Sequence, residues 1–141
     1  DTTEDTGLAQ DLLALFTTHR VDHTLGFRRL SAVLRGHAAH WLDLFGAETG
    51  AAQAWLARWQ ARVADPMATA TRLDAANPLH IPRNHLVEEA LTAATDRQDL
   101  QPFEQLLAAV TQPHTAGAAP ERYSQPATAA ESAGYRTFCG T

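Results

Sequence analysis

One stripe of apolar residues recurs at helical spacing in the middle of this chain. Ala52, Trp55, Leu56, Trp59 and Val63 fall at positions i, i+3, i+4, i+7 and i+11. Because an α-helix turns once in about 3.6 residues, side chains at these intervals share one face, whereas a half-buried strand alternates apolar and polar residues. The stripe therefore predicts a helix with one buried face. No alternating pattern typical of strands occurs in the sequence.

The same periodicity predicts helices on both sides of this stretch. Residues 8–19 form one amphipathic pattern, and residues 25–34 form a second pattern whose start Asp22 can cap. Asp65-Pro66 marks another start, because the carboxylate can cap a helix whose first turn tolerates a proline. These signals predict a succession of helices.

Two more helices are expected after an irregular connection. Residues 77–84, NPLHIPRN, contain two prolines four positions apart, and proline pushes the residue before it out of the helical region. Asn84 can cap the helix that follows. Asp99 starts the last predicted helix, whose first turn tolerates Pro102. The predicted fold class is all-α, with five or six helices and an irregular C-terminal tail.

The last part of the chain has a different composition. From Pro113 onward, prolines and glycines are frequent and large apolar residues are scarce. Such a segment buries too little surface to offset its ordering entropy, so we expect it to be flexible or draped over a partner surface. We predict a helical domain over residues 1–112 and an irregular tail over residues 113–141, which carries the single cysteine, Cys139.

The composition narrows the class of function. The 141 residues carry a formal net charge of −5, and Arg supplies all 11 basic residues. This balance argues against binding to nucleic-acid backbones. No apolar run approaches the roughly 18–20 residues of a membrane-spanning helix. A single cysteine excludes an internal disulfide, so we expect a cytoplasmic protein. From the charge balance and the lack of a long apolar run, we expect no nucleic-acid or membrane partner.

Seven histidines raise the possibility of a metal site. His37 and His40 are three positions apart, and His19 and His23 are four apart, so either pair can direct two imidazoles at one ion. A zinc site needs further ligands, and no HExxH motif occurs. We interpret the histidines as surface or half-buried residues, and a metal-dependent hydrolase remains a third hypothesis.

Other catalytic patterns are missing from the sequence. Ser31, Ser124 and Ser132 lie in no GxSxG motif. No GxGxxG or GxxxxGK[ST] motif is present to cradle phosphates. The pair Glu88–Glu89 is explained by the positive end of a helix dipole, and Trp55 with Trp59 by core packing. No catalytic, cofactor-binding or metal-binding residue is therefore assigned.

The stretch NPLHIPRNHLVEEAL is the most specific part of the sequence. By itself it is interpreted as a buried turn in which Asn77, Arg83 and Asn84 bond backbone groups that the prolines leave unpaired. Together with the later strings it resembles the C-terminal part of the selenoprotein O family, which includes the UPF0061 proteins. The resemblance covers about residues 8–34 and 77–141. It rests on HRVDHTLGFRRLS, NPLHIPRNHLVEEAL, DLQPFEQLLAAV, ERYSQP and TFCGT, in this order.

The resemblance implies an activity for a longer protein. Members of this family have a kinase-like fold and are understood to transfer AMP from ATP to Ser, Thr or Tyr hydroxyls of proteins, with Mg or Mn. Their nucleotide- and metal-binding residues lie in an upstream region whose motifs this chain does not match. The chain would be a C-terminal helical portion that supports the C-lobe, and its partners would be the remainder of the kinase-like parent and that parent's protein substrates. Its acidic start, DTTEDTG, follows no initiator Met, as expected of a cut within a longer bacterial chain.

Cys139 is the one functional residue that the resemblance implies. It stands where animal members carry selenocysteine, and the family's terminal thiol or selenol is thought to pair with a cysteine of the kinase-like region. This implies a redox role for Cys139 whose partner lies outside the chain, since no second cysteine is present. The alternative function is a stand-alone helical protein-interaction module.

Overall fold

The computed structural model describes residues 2–133, and over that range the chain forms helices, turns and loops without a strand. The predicted all-α class is confirmed. The chain divides into two compact units at Pro78 and Leu79, and each is described by itself. The predicted division between residues 112 and 113 stays a prediction, and the compact units divide the chain at a different point.

The helices differ widely in length. Five of them (α1, α5, α6, α7 and α8) have at least 11 residues, and the others have at most six. Their order is α1 (Thr2–His19), α2 (His23–Arg28), α3 (Leu30–Leu34), α4 (Ala39–Leu42), α5 (Gly50–Gln60), α6 (Pro66–Ala76), α7 (Asn84–Arg97), α8 (Gln101–Thr111) and α9 (Ala129–Ser132). Single 3-10 turns lie at Asp43–Phe45 and Glu121–Ser124. Among the described residues, no helix is long and apolar enough to cross a membrane.

The core of the first unit is rich in aromatic rings. Phe16 and Trp41 are fully buried, and their ring centroids lie 6.5 Å apart. The indole of Trp55 donates a hydrogen bond of 2.8 Å to the Leu8 carbonyl, which joins α5 to α1. The predicted stripe does face this core, except that Val63 follows the end of α5. The buried members of the core are Leu8, Leu12, Phe16, Val21, Leu30, Val33, Trp41, Phe45, Ala52, Trp55 and Leu56.

Two of the three predicted caps are confirmed. The carboxylates of Asp22 and Asp65 each accept a backbone N–H at 2.9 Å, from Leu25 and Ala68. The prediction for Asn84 is wrong, because the extended backbone of a cap residue belongs to Arg83 (φ −70°, ψ 133°) and Asn84 is already helical. Arg83 supplies no side-chain cap.

The second unit is built on the packing of α7 against α8. Its buried members are Leu86, Ala90, Leu106, Ala109 and Tyr123. Tyr123, only 2% exposed, comes from the segment that was expected to be flexible or to lie on a partner. Tyr123 and Ser124 are thus buried in their own unit, whereas most of the other residues in the described part of this segment are exposed.

Candidate functional site

The NPLHIPRN segment bonds at its two ends to different groups. Pro78 lacks the N–H that would continue α6, and the Asp74 carbonyl accepts a 2.7 Å bond from Arg28 Nη1 instead. Arg28 Nη1 also donates to the Asn77 carbonyl at 2.9 Å. Within the second unit, the backbone N–H groups of Leu79 and His80 both donate to the Pro113 carbonyl, at 2.7 and 3.0 Å. The segment is thus held by groups that compensate for its prolines.

Asn77 and Arg83 both bond backbone carbonyls, as interpreted, but not the Asp74 carbonyl that Pro78 leaves unpaired. Asn77 Nδ2 donates to the Leu73 carbonyl at 3.0 Å. Arg83 Nη2 donates to the Ser124 carbonyl at 3.3 Å, and Arg83 is only 8% exposed. Arg83 therefore connects the start of α7 to the ERYSQP string, 41 positions later.

Residues of the ERYSQP string bond to residues of α7 and α8 and to the residue before α7. We call this group the motif cluster (Arg83, Glu89, Gln105, Arg122, Tyr123 and Ser124). Arg122 makes a bidentate ion pair with Glu89 of α7, with Nη1 donating to Oε1 at 3.0 Å and Nη2 donating to Oε2. Hydrogen bonding to Glu89 raises the pKa of Arg122. The sequence explained Glu89 by the helix dipole alone, and the ion pair is the feature that it missed, because the partner lies 33 positions away.

Tyr123 completes the motif cluster by reaching α8. Its hydroxyl donates to Gln105 Oε1 at 2.9 Å, and burial raises the pKa of its phenol. The Arg122 guanidinium carbon lies 5.5 Å from the Tyr123 ring centroid, a cation–π distance. The Ser124 hydroxyl donates to the Glu121 carbonyl at 2.7 Å. In this arrangement the family-like strings hold α7, α8 and the following segment together.

A second polar cluster, the α6 tether (Arg28, Ser31, Arg35 and Asp74), lies in the first unit. The buried Ser31 hydroxyl donates to Asp74 Oδ1 at 2.6 Å, and Arg35 Nη2 lies 2.7 Å from Asp74 Oδ2. Burial raises the pKa of Asp74, but hydrogen bonds from Ser31 and Arg35 and the charges of Arg28 and Arg35 outweigh it, so the pKa is lowered overall. The carboxylate is therefore held ionised by its partners, and the cluster attaches α6 to α2 and α3.

One of the two histidine pairs, His19 and His23, lies beside phenylalanine rings. His19 lies edge-on to Phe45 and His23 edge-on to Phe16, each with ring centroids 5.5 Å apart. The rings of His37 and His40 are 6.4 Å apart. Over residues 2–133, no group of three or more His, Cys, Asp or Glu side chains is placed to hold a metal ion.

His80 is a buried polar residue that sequence reasoning did not single out. Its side chain is 3% exposed, and neither ring nitrogen makes a hydrogen bond within the described part of the chain. The only signal was its position between two prolines. Cys139, the predicted redox residue, lies outside the described residues.

An apolar groove runs between α7 and α8. It has a volume of about 180 Å³ and is lined by Pro82, Val87, Leu91, Phe103, Leu107 and Val110, with Ala90 and Leu106 at its base. The side chains of Leu91, Phe103 and Leu107 are about half exposed (51%, 46% and 47%). The groove thus places three half-exposed apolar side chains of α7 and α8 side by side.

The fold and its polar clusters define an all-α scaffold in which charged side chains fasten helices together. Comparison with known proteins gives the particular family. A protein named protein nucleotidyltransferase YdiU from Chromobacterium violaceum is 44% identical over 142 residues, which include 98% of this chain and 30% of that protein. Proteins of the same name from Cereibacter sphaeroides and Mycolicibacterium paratuberculosis are 48% and 49% identical over 97% and 95% of the chain.

The chain spans only 27–30% of the length of these relatives. No protein-family model matches the sequence. No solved structure matches it either. The chain is therefore similar over nearly its whole length to one part of each of these proteins named YdiU (UPF0061), which confirms the resemblance found in its motifs.

Proposed function

We propose that this chain is the C-terminal helical part of a bacterial cytoplasmic protein that transfers AMP from ATP to Ser, Thr or Tyr hydroxyls of other proteins. The observation that carries the proposal is its 44–49% identity to proteins named nucleotidyltransferases, together with the order of its motifs. The catalytic residues, the ATP site and the Mg or Mn site belong to the remaining part of the longer protein. The chain itself supplies structural support.

The polar clusters support this division of roles. Ser31 is buried, and its hydroxyl donates to Asp74, a carboxylate whose lowered pKa makes it a weak base for activating a nucleophile. Ser124 donates to a backbone carbonyl. In both clusters the charged side chains are engaged with partners of their own unit, which is the arrangement expected of a scaffold.

The proposal is tested with a chimera. In the YdiU protein of Chromobacterium violaceum, the stretch that matches this chain is replaced by residues 1–141, and transfer of label from ATP labelled at the α-phosphate to protein is measured. We expect labelling by the chimera and the parent, and none by the isolated chain. The Chromobacterium violaceum protein with the matched stretch deleted is the control, and it shows whether transfer depends on structural support from that stretch. Because we expect the transfer to require a divalent metal, chelation by EDTA should abolish it. Labelling by the isolated chain would contradict the proposal.

We further propose a redox role for Cys139 in the longer protein. Its thiol would form a disulfide with a cysteine of the kinase-like region, the two thiols giving up two hydrogen atoms to an added oxidant such as diamide. Peptide mapping of the oxidised chimera should find a crosslinked peptide that contains Cys139 and that is lost with Cys139→Ser. In the isolated chain the same substitution should leave Tm unchanged, and a large drop would mean that the residue is packed.

The exposed apolar groove favours a second candidate, a stand-alone protein-interaction module. Under this alternative the chain would bind an external protein and would not restore AMP transfer in the chimera. The labelling experiment therefore separates the two functions.

A further inference from the structure

Large apolar side chains are exposed unevenly over this molecule. Six of them are exposed among the described residues, and four (Leu91, Leu100, Phe103 and Leu107) belong to α7 or to α8 and the residue before it. Isolated exposed apolar residues are ordinary on a protein surface, whereas a contiguous group of them marks a binding surface. Leu91, Phe103 and Leu107 line the same groove, so they form such a group.

The chemistry of the groove restricts what it can bind. All of its lining residues are apolar, so a charged or polar group placed there would lose its water without gaining a hydrogen-bond partner. An apolar segment of a protein chain would instead be stabilised by burial against Leu91, Phe103 and Leu107. Grooves between paired helices are a recurrent site for such segments.

We propose that this groove binds an apolar segment from the part of the longer protein that lies outside this chain. The argument for that occupant is the length of the relatives beyond the stretch that this chain matches. The curated relatives extend well beyond the matched stretch, which is only 27–30% of each of them, so most of their sequence is available to cover the groove. The inference rests on the proposed function, and it assigns the α7–α8 groove as the surface by which the chain supports the rest of the enzyme.

The test compares one substitution in two settings. Leu107→Asp places a charge in the groove, and Leu13→Asp is a matched control because Leu13 also lies within a helix and is 44% exposed. In the isolated chain we expect both substitutions to shift Tm equally, by no more than about 2–3 °C, as surface changes do. In the chimera, Leu107→Asp should lower Tm well beyond the effect of Leu13→Asp.

Each alternative occupant gives a different result and would overturn the proposal. If Leu107→Asp lowers Tm as strongly in the isolated chain as in the chimera, the groove is already covered within the chain. If light scattering shows an isolated-chain dimer that Leu107→Asp dissociates, a second copy is the occupant. If Leu107→Asp behaves like Leu13→Asp in the chimera as well, the groove binds no part of it.

A second measurement needs no variant. Carbene footprinting should label Phe103 and Leu107 in the isolated chain and lose that labelling in the unmodified chimera, and equal labelling in both would overturn the proposal. AMP transfer by the chimera is measured separately. Transfer without protection of the groove refutes this inference alone, whereas protection without transfer refutes the proposed activity and leaves the groove assignment standing.

Discussion

Gly26 of α2 is where a single residue type is most tightly required. A Cβ atom added there would lie 2.4 Å from Cζ of Phe16, which is fully buried. The Gly26 carbonyl also accepts a 2.9 Å hydrogen bond from the Trp41 indole. The close approach of this backbone to the Phe16 ring therefore leaves no room for a side chain.

Gly26→Ala should destabilise the chain by about 1–3 kcal/mol, because the added methyl group overpacks the core around Phe16. Gly7→Ala is the control, since nothing lies within 4 Å of the added Cβ there. That change within α1 should be neutral or stabilise by up to about 1 kcal/mol. Urea unfolding measures the free energy of unfolding of both variants. Equal effects of the two substitutions would contradict the close approach of the Gly26 backbone to the Phe16 ring.

Interactions between residues close in the sequence could be predicted, whereas interactions between distant residues could not. Asp22 and Asp65 were predicted as caps because capping depends on neighbours three positions away, which the sequence displays directly. The Glu89–Arg122 pair could not be predicted, because its partners are 33 positions apart and meet only when α7 and the later segment pack. The burial of His80 could not be predicted either, because it also depends on packing between segments that are distant in the sequence.

Asp74 decides how α6 is attached to the shorter helices of the first unit. Its pKa is lowered in the folded chain, so the stability that it contributes is fully present above its unfolded pKa of about 3.9. This contribution is lost as the pH falls through the lower folded value. The α6 tether should therefore weaken in acid.

Asp74→Asn should reduce the free energy of unfolding at pH 7 by about 1–3 kcal/mol, since it removes the charge that Arg28 and Arg35 face. The difference from the unsubstituted chain should narrow as the pH is lowered from about 4 toward 2. Asp11→Asn, in an exposed pair with Arg58, should cost at most about 1 kcal/mol at pH 7. Urea unfolding across this range is the measurement, and a difference independent of pH would contradict the account.

Tyr123 anchors the segment after α8, and two substitutions separate its ring from its hydroxyl. Tyr123→Phe should cost about 1 kcal/mol by removing the bond to Gln105, whereas Tyr123→Ala should cost about 3–5 kcal/mol by emptying the core. Hydrogen exchange should also speed up at the amides of Leu79 and His80, which donate to Pro113, in the Ala variant. Equal effects of the two substitutions would mean that the ring is not packed.

At the level of elements, periodicity predicted the long helices better than their connections. The stripe from Ala52 to Trp59 was sufficient because a helix of 11 residues repeats its pattern three times. The break between α2 and α3, within the single pattern over residues 25–34, gave no such signal. The burial of Tyr123 was missed because composition averages over a segment in which one side chain decides the packing.

The whole chain contains two compact units, each with its own core and polar cluster. The motif cluster shows what the family-like strings do within the second unit. Side chains of Arg83, Glu89 and Tyr123 fasten α7 and α8 to the segment that follows α8. The groove could not be predicted, because it depends on which faces of α7 and α8 remain exposed after they pack.

We have proposed that this chain supports a longer nucleotidyltransferase and holds no nucleotide site of its own. Calorimetric titration of ATP with Mg²⁺ or Mn²⁺ into the isolated chain and into the chimera tests it most directly. We predict a saturable heat of binding for the chimera and none for the isolated chain. Saturable binding of ATP by the isolated chain would contradict the claim.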